Sequence, residues 1–221
     1  MNLKENERID DLEFKNLKII QNKNGFCFGI DSVLLSDFAK NIRNNSKVID
    51  LGTGTGIINI LLSAKTKASE FVGVEIQQEV AEMADRSIKL NNLQNKIKII
   101  NEDILNLKNI YEQKSFDAVV TNPPYKKINT GIKNDENKKL ISRHEVTASL
   151  KDFIKISSYL LKDYGEFYMV HRPERLVDIF SIMRDEKIEP KLIKFVYPKM
   201  GKKTNLVLIK GVKCRKTILG I

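Results

Sequence analysis

Tryptophan is absent from this 221-residue chain, which also has only two cysteines and two histidines. Cys27 and Cys214 lie far apart and share no spacing with a metal-binding motif, so no metal is expected. Cys27 sits between aromatic residues and reads as a small buried apolar group in a reduced compartment. No apolar run approaches the ~20 residues that a membrane span needs. The start of the chain, Met1 to Asp11, is polar and charged rather than signal-like. A cytoplasmic protein without membrane association is therefore expected. Internal repeats, linkers and low-complexity tails are also missing.

Negative charge is the other shortage. There are 28 Asp and Glu against 38 Lys and Arg, a net +10. Such a balance favours an anionic partner, nucleic acid before membrane, because each phosphate neutralised releases counterions. The same Lys-, Asn- and Ile-rich bias can also arise from an AT-rich genome. With 42% hydrophobic and 30% charged residues, the chain has the make-up of an ordinary globular protein. Its length suits one α/β domain with a sizeable core.

The hydrophobic pattern alternates between strand and helix. Glu13 to Gln21 reads as an extended segment, followed by a turn at Asn22 to Gly25. Asp31 to Lys40 carries a helical stripe (Val33, Leu34, Asp37, Phe38) with Asp31 or Ser32 as N-cap. Strands are expected at Lys47 to Leu51, Phe71 to Val74, Ile97 to Ile100, Phe116 to Thr121 and Glu166 to Val170. Helices are expected at Ile57 to Lys65, Gln78 to Asn91, Leu150 to Lys162, and Pro173 to about Glu186. Strands separated by helices of this length indicate a parallel sheet covered on both faces. Lys191 to Tyr197 and Asn205 to Lys210 are joined too closely for a parallel crossover and should form an antiparallel hairpin. The fold class is thus α/β and Rossmann-like: a mixed seven-stranded sheet with an antiparallel terminal hairpin and helices on both faces. Residues 1–46 read as a strand and helix extension packed on a core of residues 47–221.

Three constellations fall at the carboxyl ends of these strands. Asp50-Leu51-Gly52-Thr53-Gly54-Thr55-Gly56 follows the first strand of the series, where glycines permit a tight turn and close approach to a ligand. A carboxylate at Asp50 would repel pyrophosphate but suits the charged amino acid end of S-adenosylmethionine. Glu75, 23 residues beyond Gly52, ends the next strand, where it can accept both ribose hydroxyls. Asp103 follows the third strand; it either accepts from the adenine amino group or caps the helical turn that begins at Ile104.

The third constellation is Asn122-Pro123-Pro124-Tyr125, directly after the fourth strand. An amine conjugated to an aromatic ring is a poor nucleophile. Two acceptors aimed at its hydrogens, the Asn122 side-chain oxygen and the Pro123 carbonyl, raise its electron density and position it. Prolines lock the carbonyl direction. Tyr125 can stack on the target ring, worth roughly 1–3 kcal/mol for a base. A planar amino nitrogen is the expected methyl acceptor.

These motifs resemble class I methyltransferases of the Asn-Pro-Pro-Tyr amino type. More closely, the chain resembles the bacterial tRNA N6-adenine methyltransferases that modify the adenine beside the anticodon of a valine tRNA. The resemblance extends to Phe26-Cys27-Phe28-Gly29-Ile30-Asp31-Ser32-Val33-Leu34-Leu35, to Arg143-His144-Glu145, and to the hairpin segments Tyr197-Pro198-Lys199 and Asn205-Leu206-Val207-Leu208. It implies a cofactor set of Gly29, Asp31, Asp50, Gly52, Gly54, Gly56, Glu75, Ile76, Asp103, Ile104 and Asn122. It implies a catalytic set of Asn122, Pro123, Pro124 and Tyr125. Tyr125, Lys126, Lys127, Arg143 and His144 would meet the substrate, an anticodon stem-loop of tRNA. Lys126, Lys127, Lys133, Lys138, Lys139 and Arg143 crowd one stretch that would attract phosphate. His144 either contacts substrate or has a local structural role, and His171 reads as structural. The protein would act as a monomer or homodimer.

Rival readings share the amine chemistry. Release-factor glutamine N5-methyltransferases carry a helical N-terminal domain, whereas 46 residues with a strand-like segment precede Lys47 here. A guanine N2-methyltransferase of ribosomal RNA is a further candidate. A DNA adenine methyltransferase would need a larger sequence-reading insertion. A cofactor-binding RNA chaperone would not need an intact Asn122 and Tyr125.

Overall fold

The computed structural model describes residues 3–25, 27–125 and 148–214. The chain opens with an antiparallel hairpin, β1 (Glu7–Asp11) and β2 (Lys18–Asn22), followed by α1 (Ile30–Phe38). There follow β3 (Lys47–Leu51), α2 (Ile57–Lys65), β4 (Glu70–Glu75), α3 (Gln78–Leu90) and β5 (Ile97–Asn101). A 3-10 helix over Ile104–Asn109 leads to β6 (Phe116–Thr121). Next come α4 (Leu150–Leu160), β7 (Leu161–His171), a 3-10 turn at Pro173–Arg175 and α5 (Leu176–Asp185). The antiparallel strands β8 (Ile188–Val196) and β9 (Leu206–Lys213) complete the sheet.

Seven strands lie in the order β5-β4-β3-β6-β7-β9-β8. The first five are parallel, and β9 runs antiparallel to both β7 and β8. Strand alternation divides the core in two. Val48, Phe71, Ala118, Val120 and Tyr168 pack with α1, α2 and α3 on one face. Ile49, Val72, Val119 and Phe167 pack with α4, α5 and the 3-10 helix on the other. Two buried faces explain why the central strands read as continuous apolar runs. Each fully buried aliphatic side chain contributes about 1.5–3 kcal/mol of transfer free energy.

Several expected boundaries shift for identifiable reasons. β1 was absent from the pattern because Glu-Arg-Ile-Asp-Asp carries one hydrophobe; its partner β2 spans Lys18–Asn22 rather than the whole of Glu13 to Gln21. The N-cap of α1 is Gly29, with no side-chain cap; Asp31, inside the first turn, accepts the Ser32 amide on one oxygen and meets Tyr125 with the other, while Ser32 faces Asn122. Its most buried positions are Leu35, Ser36 and Ala39, while Val33, Leu34 and Phe38 pack only partly against the core and Asp37 is exposed. Cys27 is half-buried. α4, started by a Ser149–Asp152 capping box, stops at Leu160 rather than Lys162. β7 begins there at once, and Lys162 to Gly165 loop out where its register with β6 jumps from Phe116–Leu161 to Ala118–Glu166.

The N-terminal hairpin is fastened to α3 by polar contacts that amphipathicity alone does not reveal. Ser87 accepts from the Ile20 amide at 2.9 Å. Asn91 pairs with the Lys18 backbone in both directions, accepting at 2.8 Å and donating at 2.6 Å. Glu7 takes both terminal nitrogens of Arg86, with one contact at 2.7 Å. The Arg86 hydrogen bond, opposed by burial, holds the Glu7 carboxyl below its ordinary range. Its stabilisation is present above the unfolded carboxyl pKa and lost as pH falls through the folded one. Glu7→Gln should therefore cost about 1–3 kcal/mol at pH 7, and thermal melts of parent and variant should converge as the pH falls below the ordinary carboxylate range.

Candidate active site

The site begins where β3 ends. Gly52, Gly54 and Gly56 have φ of +72°, +55° and +84°, so three alternate positions of one turn need left-handed backbone. The turn is pinned to the next strand: the Gly52 and Thr53 amides donate to the Val74 carbonyl at 2.9 and 2.8 Å. A Cβ placed on Gly54 would meet nothing within 4 Å, which leaves open space above the centre of the turn. A ligand can approach the backbone there.

Two carboxylates brace this turn. Glu75 accepts the Gly54 amide at 3.0 Å on one oxygen and the Gln77 amide at 3.0 Å on the other. Both Glu75 oxygens are thus acceptors at the end of β4, beside the glycine turn. Ile76 beside it is exposed. Asp50 lies beneath the turn and is fully buried. Its Oδ2 accepts from Thr53 at 2.6 Å, Thr53 in turn accepts from Asn59 at 3.2 Å, and Asp50 Oδ1 has no partner. Burial first, with the Glu75 charge assisting and the Thr53 hydrogen bond opposing, pushes the Asp50 carboxyl up to about 7. An ammonium donor at Oδ1 would satisfy the orphaned oxygen and restore the charged form. This set fits a ligand with a cationic head and a ribose diol.

Asp103 caps the 3-10 helix, its carboxylate accepting from the Leu105 amide at 2.9 Å, and Ile104 is buried behind it. Of the two roles left open for Asp103, the cap is therefore occupied in this geometry.

The second half of the site follows β6. Thr121 donates to the Leu51 carbonyl at 2.9 Å, which ties the strand bearing Asn122 to the strand bearing the glycine turn. Asn122 then joins a four-residue network. Its amide nitrogen donates to Ser32 at 3.1 Å, its oxygen accepts from the Tyr125 hydroxyl at 2.8 Å, and that hydroxyl also lies 2.8 Å from Asp31. Gly29 lets Asp31 fold back, since a Cβ there would come within 2.6 Å of the Asp31 carboxylate. Burial and the Asp31 charge raise the Tyr125 pKa, so its hydroxyl stays a donor. Pro123 is buried and Pro124 exposed.

Tyr125 is also held by its ring. His171 meets it edge-on at 5.1 Å, and the Arg172 guanidinium lies 5.1 Å from its centroid. The His171 imidazole accepts from the Arg172 amide at 2.8 Å, and burial lowers its pKa to about 4, so it is neutral at physiological pH. His171, read from the sequence as structural, packs against the Tyr125 ring, and Ser32, Thr121 and Arg172 join the site with no sequence signal of that role. Ser32 and Asn122 lie 90 positions apart, and no spacing signal connects them. Lys126, Lys127, Arg143 and His144 lie outside the described residues.

Paired parallel strands with a glycine turn and polar groups at their carboxyl ends define a Rossmann-like methyltransferase fold. Residues 12–186 match the family model of the methyltransferase small domain, and the chain belongs to that family. It is 31% identical over 161 residues to the tRNA1(Val) (adenine(37)-N6)-methyltransferase of Histophilus somni strain 2336, covering 72% of this chain and 66% of the relative. The protein of the same name from Porphyromonas gingivalis strain W83 is 30% identical over 175 residues, covering 77% and 68%. The chain thus spans about two thirds of the length of the curated relatives it matches. Among solved structures, a predicted O-methyltransferase from Agrobacterium tumefaciens is similar with a TM-score of 0.66 and 21% identity, covering 84% of this chain and 82% of that one. Geranyl diphosphate C-methyltransferase from Streptomyces coelicolor, in complex with S-adenosyl-L-homocysteine, gives 0.60 and 13%, covering 83% and 77%. Among the described residues there is no cluster of metal-ligating side chains and no helix long and apolar enough to cross a membrane.

Asp50 has a measurable signature in the ligand-free protein. Folded Asp50 keeps its proton to about pH 7, whereas an unfolded aspartate releases it near 3.8. Its contribution to stability is therefore full below the lower value and lost as pH rises through the upper one. Asp50→Asn should melt above the parent at pH 8, and that advantage should vanish by about pH 4 in differential scanning calorimetry.

Proposed function

We propose that this chain transfers a methyl group from S-adenosylmethionine to N6 of an adenine in the anticodon loop of a tRNA, with valine tRNA as the substrate. The observation that carries this reading is the Asn122 amide held at the carboxyl end of β6, beside the glycine turn of β3. The names of the relatives from Histophilus somni and Porphyromonas gingivalis support the choice of substrate. The Streptomyces coelicolor structure with S-adenosyl-L-homocysteine supports the choice of cofactor.

When bound, S-adenosylmethionine supplies an electrophilic methyl group on a sulfonium. Asp50 would take its amino group, Glu75 its ribose hydroxyls, and Ile76 and Ile104 would flank its adenine near Asp103. Gly52, Gly54 and Gly56 admit it close to the backbone, with Gly29 and Asp31 at the edge nearest its methionine part. Asn122 Oδ1 and the Pro123 carbonyl accept the two hydrogens of the target amine and hold its lone pair directed. An amide oxygen has two lone pairs, so Asn122 can receive the amine while keeping Tyr125. Pro124 stiffens the turn that sets these acceptors. Arg172 covers part of the Tyr125 surface, so the tyrosine holds Asn122 as well as offering a ring to the base. No side chain has to take the proton, because a protonated aromatic amine releases it to water. Lys126, Lys127, Arg143 and His144 would meet the RNA, whose target base must leave its stack to reach the amide. The activity belongs in the cytoplasm, where tRNA is modified.

The test is to incubate the protein and methyl-labelled cofactor separately with total tRNA, ribosomal RNA and release factor, then digest and identify the product. N6-methyladenosine from the tRNA reaction is expected. Label confined to N2-methylguanosine or N5-methylglutamine would contradict the proposed substrate.

A further inference from the structure

We propose that the tip of the β8–β9 hairpin, from Tyr197 to Lys203, is the docking surface for the RNA backbone flanking the target base. This rests on the reading of the chain as an RNA methyltransferase and adds where the RNA is held.

Charge is the first observation. Between Lys191 and Cys214 there are seven lysines and no Asp or Glu, in a chain whose net charge is +10. Most of the excess positive charge thus belongs to one hairpin. Lys191, Lys194, Lys199, Lys202 and Lys203 are exposed. Among the described residues, no ion pair engages the three lysines of the tip. Lysines already neutralised by carboxylates would release fewer counterions on meeting phosphate.

Placement is the second. β9 pairs antiparallel with β7, matching His171 to Val207, and β8 reaches the same level with Phe195 opposite Val207. The connection between β8 and β9 therefore leaves the sheet at the carboxyl end of β7, the edge that carries Asn122 and Tyr125. A direct link joins the two regions. Arg172, whose guanidinium lies against the Tyr125 ring, donates to the Asn205 carbonyl at the base of the hairpin at 3.0 Å. RNA held by the tip is thereby held beside the amine-binding amide.

Local form is the third. The tip is a built turn: the Lys202 amide donates to the Lys199 carbonyl at 3.2 Å, and Gly201 has φ +75°, as the third position of a type II turn requires. Thr204 and Asn205 close its base on the Val196 carbonyl at 2.9 and 3.1 Å. Tyr197 is 58% exposed and Met200 fully exposed, in the midst of the lysines. An aromatic ring among cations suits a ribose or an unstacked base. Protein-binding surfaces, by contrast, are depleted in lysine at their centre.

The experiment measures binding of a fluorescein-labelled anticodon stem-loop RNA by anisotropy across a salt series. The combined variant Lys199→Gln, Lys202→Gln, Lys203→Gln should bind about tenfold more weakly at 0.1 M salt, with a salt slope reduced by about two. Tyr197→Ala should weaken binding without changing the slope. The control Lys18→Gln, Lys67→Gln, Lys98→Gln removes the same charge elsewhere and should bind nearly as the parent does. Binding of S-adenosylhomocysteine by calorimetry verifies that each variant is folded. A tip variant with the parent's affinity and slope overturns the proposal, as does a control that loses as much. Loss of labelling on a protein substrate in place of RNA affinity also overturns it. Because binding is read without turnover, failure of the enzymatic reading shows separately, in the product digest of the parent protein.

Discussion

The Thr121 hydroxyl donates to the Leu51 carbonyl at 2.9 Å, joining the ends of two adjacent parallel strands. On one side of this pair the chain runs from β3 through α2 to β4; on the other it reaches β7 through α4. The connections cover opposite faces, so the sheet opens at its carboxyl edge between β3 and β6, where ligands of open α/β sheets bind. Both residues are fully buried. The glycine turn leaves from Leu51 and the Asn122 turn from Thr121, so the separation between cofactor cradle and amine acceptors is set by this junction. A slip there would move both halves of the site.

Around the junction, polar groups are placed under burial and made to depend on one another. Asp50 is held on one oxygen by Thr53 and left without a partner on the other. A buried carboxylate of this kind destabilises the ligand-free protein in its charged form and becomes favourable when a cation arrives. The Asp31–Tyr125–Asn122–Ser32 network has a different character, because its members are linked to one another before any ligand binds, with the single Tyr125 hydroxyl hydrogen shared between Asp31 and Asn122. One half of the site is poised by an unmet hydrogen bond. The other is held in place by hydrogen bonds already made, which suits acceptors that must not reorganise during the reaction.

How legible this was depends on the range of the interactions. β3, α2 and β6 were readable to the residue, since β3 and α2 are short apolar runs bounded by glycine and lysine and β6 is a short run between Ser115 and the Asn122-Pro123 turn. The antiparallel terminal hairpin followed from connection length alone. β1 was not readable, because it is held by the Glu7 contact with Arg86 of α3 and by pairing with β2, itself fastened to Ser87, rather than by an apolar pattern of its own. The glycine turn was visible because three left-handed positions demand three glycines. Ser32 and Arg172 were not, because each acts through a partner tens of residues away. Asp31 and Ser32 looked like helix caps for the same reason: a polar pair at a helix start satisfies the capping pattern whether it faces the backbone or the site.

Direction of an amino nitrogen by Asn122 is the step on which the proposed chemistry stands, and a single-turnover experiment reads it most directly. Enzyme preloaded with labelled cofactor is mixed with excess anticodon stem-loop RNA, and the first-order rate of N6-methyladenosine formation is compared between parent and Asn122→Ala. The expected result is a rate lowered about 10²–10³-fold with RNA and cofactor affinities within a few-fold of the parent. Methyl transfer at the parent's rate by the Asn122→Ala protein would contradict the assignment of that side chain as an acceptor for the reacting amine.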